Sequence, residues 1–146
     1  VEDNPADVEL LRMAMDHAGV AYEMTQISDG AEALLQVRQM AAGNSSLPDV
    51  IVMDLNLPKY DGLEVLEEVR SHVKLSDIPV TILTSSSSRR ERLPVQMFRR
   101  VCYLTKPLDL DQYLNIGSRI RDFLAEPVNE AGGARQIETP AIEEPR

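Results

Sequence analysis

A single cysteine, Cys102, stands among 146 residues, so no internal disulfide framework holds this chain and a reducing compartment suits it. No apolar run approaches the roughly 18–20 residues of a membrane-spanning helix. Basic residues are outnumbered, 15 against 24 acidic, for a formal net charge of −9. A nucleic-acid-binding surface needs clustered positive charge, and this balance argues against one. It suits solubility, or a site that concentrates metal cations. The opening Val1-Glu2-Asp3 has the form of neither a signal nor a transit peptide, and a cytoplasmic protein is expected. At 43% hydrophobic and 27% charged, the composition is that of a globular chain, long enough for one domain and one core.

Short apolar runs alternate with helical periodicity. Asn4-Pro5 is a cap followed by a residue suited to the first helical position, and Val8, Leu11, Met15 and Ala18 then share a face until Gly19. The stretch 22–27 reads as a strand, and Asp29-Gly30 opens a helix to about Ala41. Val50 to Met53 is an apolar strand that runs directly into Asp54. Leu63, Leu66, Val69 and Val73 form the stripe of a third helix. Pro79 to Leu83 is a strand ending at Thr84, and Val101 to Leu104 one ending before Lys106-Pro107. Leu110, Tyr113, Leu114, Gly117, Ile120 and Leu124 mark a last amphipathic helix. Such alternation predicts a doubly wound α/β fold, a parallel sheet covered on both faces. From Glu126 to Arg146, three prolines, a Gly-Gly pair and five glutamates without periodicity read as a flexible tail behind a domain of residues 1–125.

In open parallel sheets, ligands bind beyond the carboxyl ends of the strands. Asp54, Thr84 and Lys106 stand at three such ends, and Glu2 and Asp3 would end a first strand beside Asp54. Three carboxylates on one edge repel one another unless a hard cation such as Mg²⁺ joins them. Lys106 adds a fixed positive charge and Thr84 a hydroxyl donor. The set is poor for peptide hydrolysis and well suited to a phosphoryl group attacked by a carboxylate.

"VEDN" at 1–4, "DLNLPKYDG" at 54–62, "TSS" at 84–86 and "YLTKP" at 103–107 together resemble the receiver domain of bacterial two-component response regulators. The likeness runs from Val1 to about Leu124. It implies a five-stranded, flavodoxin-like sheet. The combination "VEDNPAD" with "CYLTKPLDLDQY" is similar to small stand-alone regulators, some paired with phytochrome-type histidine kinases. Carried over by residue, the resemblance makes Asp54 the phosphoacceptor and Asp3 a direct Mg²⁺ ligand. Glu2 would hold the metal through water, and the Asn56 backbone carbonyl would complete the protein ligands. Thr84, Lys106 and the Ser85 backbone N–H would contact the phosphoryl oxygens. Tyr103 would be the switch aromatic, and Lys106-Pro107 a cis peptide. The implied partners are a sensor histidine kinase or a phosphotransfer protein and a downstream protein target; a homodimer through the last helix and the 126–146 tail is a separate expectation, since that tail has few other duties. Such a domain catalyses only its own phosphorylation and dephosphorylation.

Other readings stand beside this one. An aspartate-nucleophile phosphatase needs a second acid two residues after Asp54, where this chain has Asn56. A pseudo-receiver that only binds partners would lack a metal acid or the lysine, and all are present. Cys102 reads as an inert strand residue, and His17 and His72 as surface side chains. Two departures from the family pattern remain. Only Val1 precedes the acidic pair, so the chain is expected to lack the start of its first strand. The stretch 88–100 carries five of the fifteen basic residues and Pro94 where a fourth helix belongs. Ser88 and Glu91 could form a capping box there. Either the helix begins late, near Pro94, or the stretch is a local change of reading frame.

Overall fold

The structure is a computed structural model that describes residues 1–86, 88–127 and 135–136. Asn4 caps the first helix as expected: its backbone is extended, its side chain accepts the Ala6 N–H at 2.9 Å, and Pro5 takes the first helical position. The helices are α1 (Pro5–His17), α2 (Gly30–Ala41), α3 (Gly62–Ser71), α4 (Arg89–Val95) and α5 (Leu110–Ala125). Strands β1 (Ile51–Met53), β2 (Val80–Thr84), β3 (Val101–Thr105) and β4 (Arg135–Gln136) form one parallel sheet in that order.

The strand period of two divides the core. Val80, Ile82, Val101 and Tyr103 pack with Val37 of α2 and Val65, Leu66 and Val69 of α3. Leu83, Cys102 and Leu104 face the other way, against Ala14 and Met15 of α1 and Ile116 and Ile120 of α5. Helices therefore cover both faces, as the apolar strands require. Arg70 of α3 links this framework from below. Its guanidinium donates to the carbonyls of Leu75, Ile78, Arg99 and Arg100 at 2.9–3.2 Å, joining the leads into β2 and β3. Burial pushes its pKa down to about 10, which still leaves it charged at neutral pH.

The sheet differs from expectation at both edges. The stretch 22–27 forms no strand, because a ladder needs a continuous neighbour and only Val1 and Glu2 lie between it and β1. Glu2 N–H bonds the Ile27 carbonyl at 2.9 Å, while Val1 bonds Val52 and Asp54 on the other side. Behind Val1 lies a cavity of about 650 Å³ lined by Val8, Met15, Ile27, Val37 and Val52 among others. At the far edge, β4 was not foreseen: Arg135 and Gln136 pair with Cys102 and Tyr103. The remainder of the expected tail, 128–134 and 137–146, lies outside the described residues.

The fourth helix begins at Arg89, neither late nor with a capping box, for Ser88 makes no side-chain cap bond. It ends at Val95, and Pro94 within it has no N–H to donate to the Arg90 carbonyl. Val73 leaves the α3 stripe and is 91% exposed, since the helix ends at Ser71 and the following 3-10 turn (Val73–Leu75) buries Leu75 instead.

Helices α1 and α5 approach closely at Gly117, where a Cβ would lie 2.0 Å from the Ala14 carbonyl oxygen. Backbone cannot yield there as a flexible side chain would. Gly117→Ala is expected to cost about 3 kcal/mol, read as a lower urea midpoint. Gly19→Ala has open space but a φ of 71°, and is expected to cost only about 1 kcal/mol.

Candidate functional site

Asp54 follows β1 directly and is only 6% exposed. Its N–H bonds the Val1 carbonyl at 3.1 Å, which fixes the backbone at the strand end. One carboxylate oxygen, Oδ1, accepts the Asn56 N–H at 3.0 Å; the other, Oδ2, accepts from Lys106 Nζ at 2.8 Å. The turn beyond is tightly folded back. Gly62 N–H bonds the Leu55 carbonyl, and a Cβ at Gly62 would fall 2.3 Å from the Asp54 carbonyl oxygen. Asp61 and Glu64 then cap α3 reciprocally, at 2.9 and 3.0 Å.

Lys106 is placed by its own backbone, whose N–H bonds the Thr84 carbonyl at 2.7 Å. Its ammonium has three hydrogens, and three carboxylates take them: Glu2 at 2.7 Å, Asp54 at 2.8 Å and Asp7 at 3.0 Å. Burial would lower the lysine's pKa, but the bonds to Asp54, Glu2 and Asp7 outweigh it, and the group is pushed up and held charged. The exchange is unequal. Burial pushes the Glu2 carboxyl up, with Asp54's charge adding to it, despite the bonds from Lys106 and the Asn4 N–H. Glu2 shares that one ammonium with two other carboxylates.

Thr84 is fully buried, and its Oγ1 accepts from Asn56 Nδ2 at 3.4 Å and from the Ser86 N–H at 3.3 Å. Ser85 is exposed beside it. Tyr103 is already turned inward, at 4% exposure, its hydroxyl donating to the Ser86 carbonyl at 3.1 Å and the Arg92 guanidinium 5.3 Å from its ring centroid. Of the expected site residues, then, Glu2, Asp54, Asn56, Thr84 and Lys106 are brought together. Asp3, next along the chain from Glu2, is exposed. Among the described residues no three His, Cys, Asp or Glu side chains are poised around a metal position. The donors at hand are all oxygen, which fits a hard cation, and Lys106 is the cation they face.

Two expectations need correction or addition. The Lys106–Pro107 peptide is trans, and no cis bond occurs among the described residues; trans is the intrinsically favoured form even before proline, by about 0.5–1 kcal/mol. Asp7 was missed. An acid in the first turn of a helix reads as a partner of the helix dipole, and only the packing of α1 beside β3 shows it reaching Lys106. Cys102 is buried and burial pushes its thiol up to about 11, the inert group expected.

A parallel sheet with helices on both faces and an acid–lysine–threonine edge defines a class, and the chain belongs to it: residues 1–116 match the response regulator receiver domain family. Among its relatives is the response regulator Rcp1 of Synechocystis sp. (strain ATCC 27184 / PCC 6803 / Kazusa), 34% identical over 88% of each chain. The solved structure of the phosphorylated cyanobacterial phytochrome response regulator RcpA is similar with a TM-score of 0.72 and 38% identity, covering 85% of this chain and 89% of that one. The Mn²⁺-bound form of Rcp1 is similar with a TM-score of 0.72 and 33% identity, covering 88% of this chain and 94% of that one.

Removing the central cation should leave three facing carboxylates unpaired. Lys106→Met is expected to cost about 3 kcal/mol at pH 7 by urea denaturation. The lysine's folded pKa lies above its ordinary 10.5, so its contribution is complete below that pH and is lost as pH rises through the folded value. The gap between native protein and variant should therefore narrow above pH 10.5, and a constant gap would contradict this account.

Proposed function

We propose that the chain is a phosphoacceptor signalling domain, with residues 1–125 as the receiver and 126–146 as a tail. The observation that carries this is the buried Asp54 carboxylate held 2.8 Å from the Lys106 ammonium, with Thr84 beside it. In this reading an Asp54 carboxylate oxygen attacks the phosphorus of a phosphohistidine on a sensor histidine kinase or phosphotransfer protein. The P–N bond breaks, the electron pair leaves on the imidazole nitrogen, and an acyl phosphate forms on Asp54. Lys106 turns a donor from Asp54 toward the phosphoryl oxygens. Thr84 Oγ1 accepts both of its described bonds, so its proton is available to donate, and the Ser85 N–H lies next along the chain. Glu2, Asp3, Asp54 and the Asn56 carbonyl would hold Mg²⁺, which supplies positive charge against the phosphoryl oxygens. The chain completes a modification of itself and does not turn over a substrate.

The consequence is a change of surface. Thr84 holds the Ser86 N–H, and the Ser86 carbonyl holds the Tyr103 hydroxyl, so a movement of Thr84 toward a phosphoryl group disturbs Tyr103 and Arg92 in turn. The likeness to RcpA, a phytochrome response regulator, supports a phytochrome-type kinase as donor. A downstream protein would read the altered face, and a homodimer through α5 and the chain beyond it belongs to the same reading. One observation favours a second: among the described residues no three acids are grouped around a metal position, as suits an adaptor that only binds partners.

Intact-protein mass after incubation with acetyl phosphate and Mg²⁺ decides between them. One hydroxylamine-labile phosphoryl adduct is expected, absent in Asp54→Asn and in a chelated control. A folded protein that forms no adduct would establish the adaptor reading.

A further inference from the structure

Asp7 has no part in the chemistry just described, yet it takes one of the three Lys106 hydrogens at 3.0 Å with its side chain only 25% exposed. The other two acceptors have other duties in the proposed reaction: Asp54 becomes phosphorylated, and Glu2 serves the metal. When both turn away, the lysine loses two of its three bonds at the step where its position matters most. A lysine side chain is a point charge on four rotatable carbons, and an unanchored one spreads over many rotamers. Asp7 belongs to α1, whose start is set by the Asn4 cap and whose body is packed on α5 through Ala14 and Gly117. It is thus fixed by a different part of the fold from the groups that react.

We infer that Asp7 is a positioning residue that holds the Lys106 ammonium in place while Asp54 and Glu2 release it. The inference rests on the phosphoacceptor reading and adds to it a carboxylate on a helix, outside the strand-end acids. It makes the contribution of Lys106 depend on Asp7. Asp7→Asn keeps the shape and removes the charge, so the ammonium loses the partner that outlasts the other two. The substitution also weakens an acid in the first turn of α1, a purely structural role that must be separated from positioning.

The test is the rate of adduct formation with acetyl phosphate and saturating Mg²⁺ in four proteins: native, Asp7→Asn, Lys106→Ala and the double variant. A roughly tenfold slower rate is expected for Asp7→Asn when Lys106 is present, equivalent to about 1.4 kcal/mol. Less than a twofold effect is expected when Lys106 is absent, because the two residues act as one unit. Asp7→Glu, which restores the charge one carbon further out, should recover part of the rate. Equal losses in both backgrounds would assign Asp7 to the helix alone and overturn the inference. An unchanged rate in Asp7→Asn would overturn it as well, while leaving the phosphoacceptor reading intact. A native protein that forms no adduct would overturn both.

Discussion

Everything at the candidate site depends on one ammonium. Lys106 gathers carboxylates from three separate pieces of chain: Glu2 at its start, Asp7 on α1 and Asp54 at the end of β1. Three charges against one leave the cluster negative, in a setting where Lys106 is 9% and Asp54 7% exposed by side chain. Buried charges persist only when paired and hydrogen-bonded, and here each carboxylate has the lysine while Glu2 and Asp54 have a backbone N–H besides. The arrangement is stable enough to exist and still short of positive charge. An anionic phosphoryl group could enter it only with further cation present, which is a physical reason to pair the proposed chemistry with Mg²⁺.

The fold supplies this meeting point by bringing chain ends close. Parallel strands deliver Asp54, Thr84 and Lys106 to the same edge, as their register requires: Met53 pairs with Ile82, and Thr84 with Thr105. Two glycines set how near the surrounding helices come. Gly62 lets α3 begin against the Asp54 carbonyl, and Gly117 lets α1 lie on α5, which in turn brings Asp7 within reach of Lys106. At the opposite edge Arg70 satisfies four carbonyls that would otherwise be left where the chain enters β2 and β3. The framework around the site is thus tied at both ends of the strands.

How far this could be read in advance follows from the kind of signal. Asp54, Thr84 and Lys106 were legible because an apolar strand that ends on a polar group is a local pattern, and three in series define an edge. The caps at Asn4 and Asp29 are equally local. Asp7 was not legible, since its contact with Lys106 spans 99 positions and its spacing already has an ordinary explanation in the helix dipole. The contacts of Arg70 with the Arg99 and Arg100 carbonyls likewise span 29 and 30 positions. The stretch 22–27 has a strand's composition, but composition does not provide a neighbour, and with Val1 and Glu2 alone beside it no ladder forms. Val73 fits the periodicity of α3 only if the helix continues, and it stops two residues earlier.

The fourth helix connects these points to the proposed switch. It is seven residues long, has no side-chain cap and contains Pro94, so its own hydrogen bonding holds it weakly. What secures it is packing: Val95 is buried in the core, and Arg92 lies over the ring of Tyr103. Tyr103 in turn is tied through Ser86 to Thr84, whose hydroxyl also accepts from Asn56 two residues beyond Asp54. An element held by packing more than by its backbone is one that a local change can displace at small cost. Pro94, which looked out of place in a helix, thus has a physical consequence in the proposed mechanism: it removes one backbone bond from α4 and leaves the helix dependent on the tyrosine beneath it. A longer, self-sufficient helix at that position would respond less to any movement of Thr84.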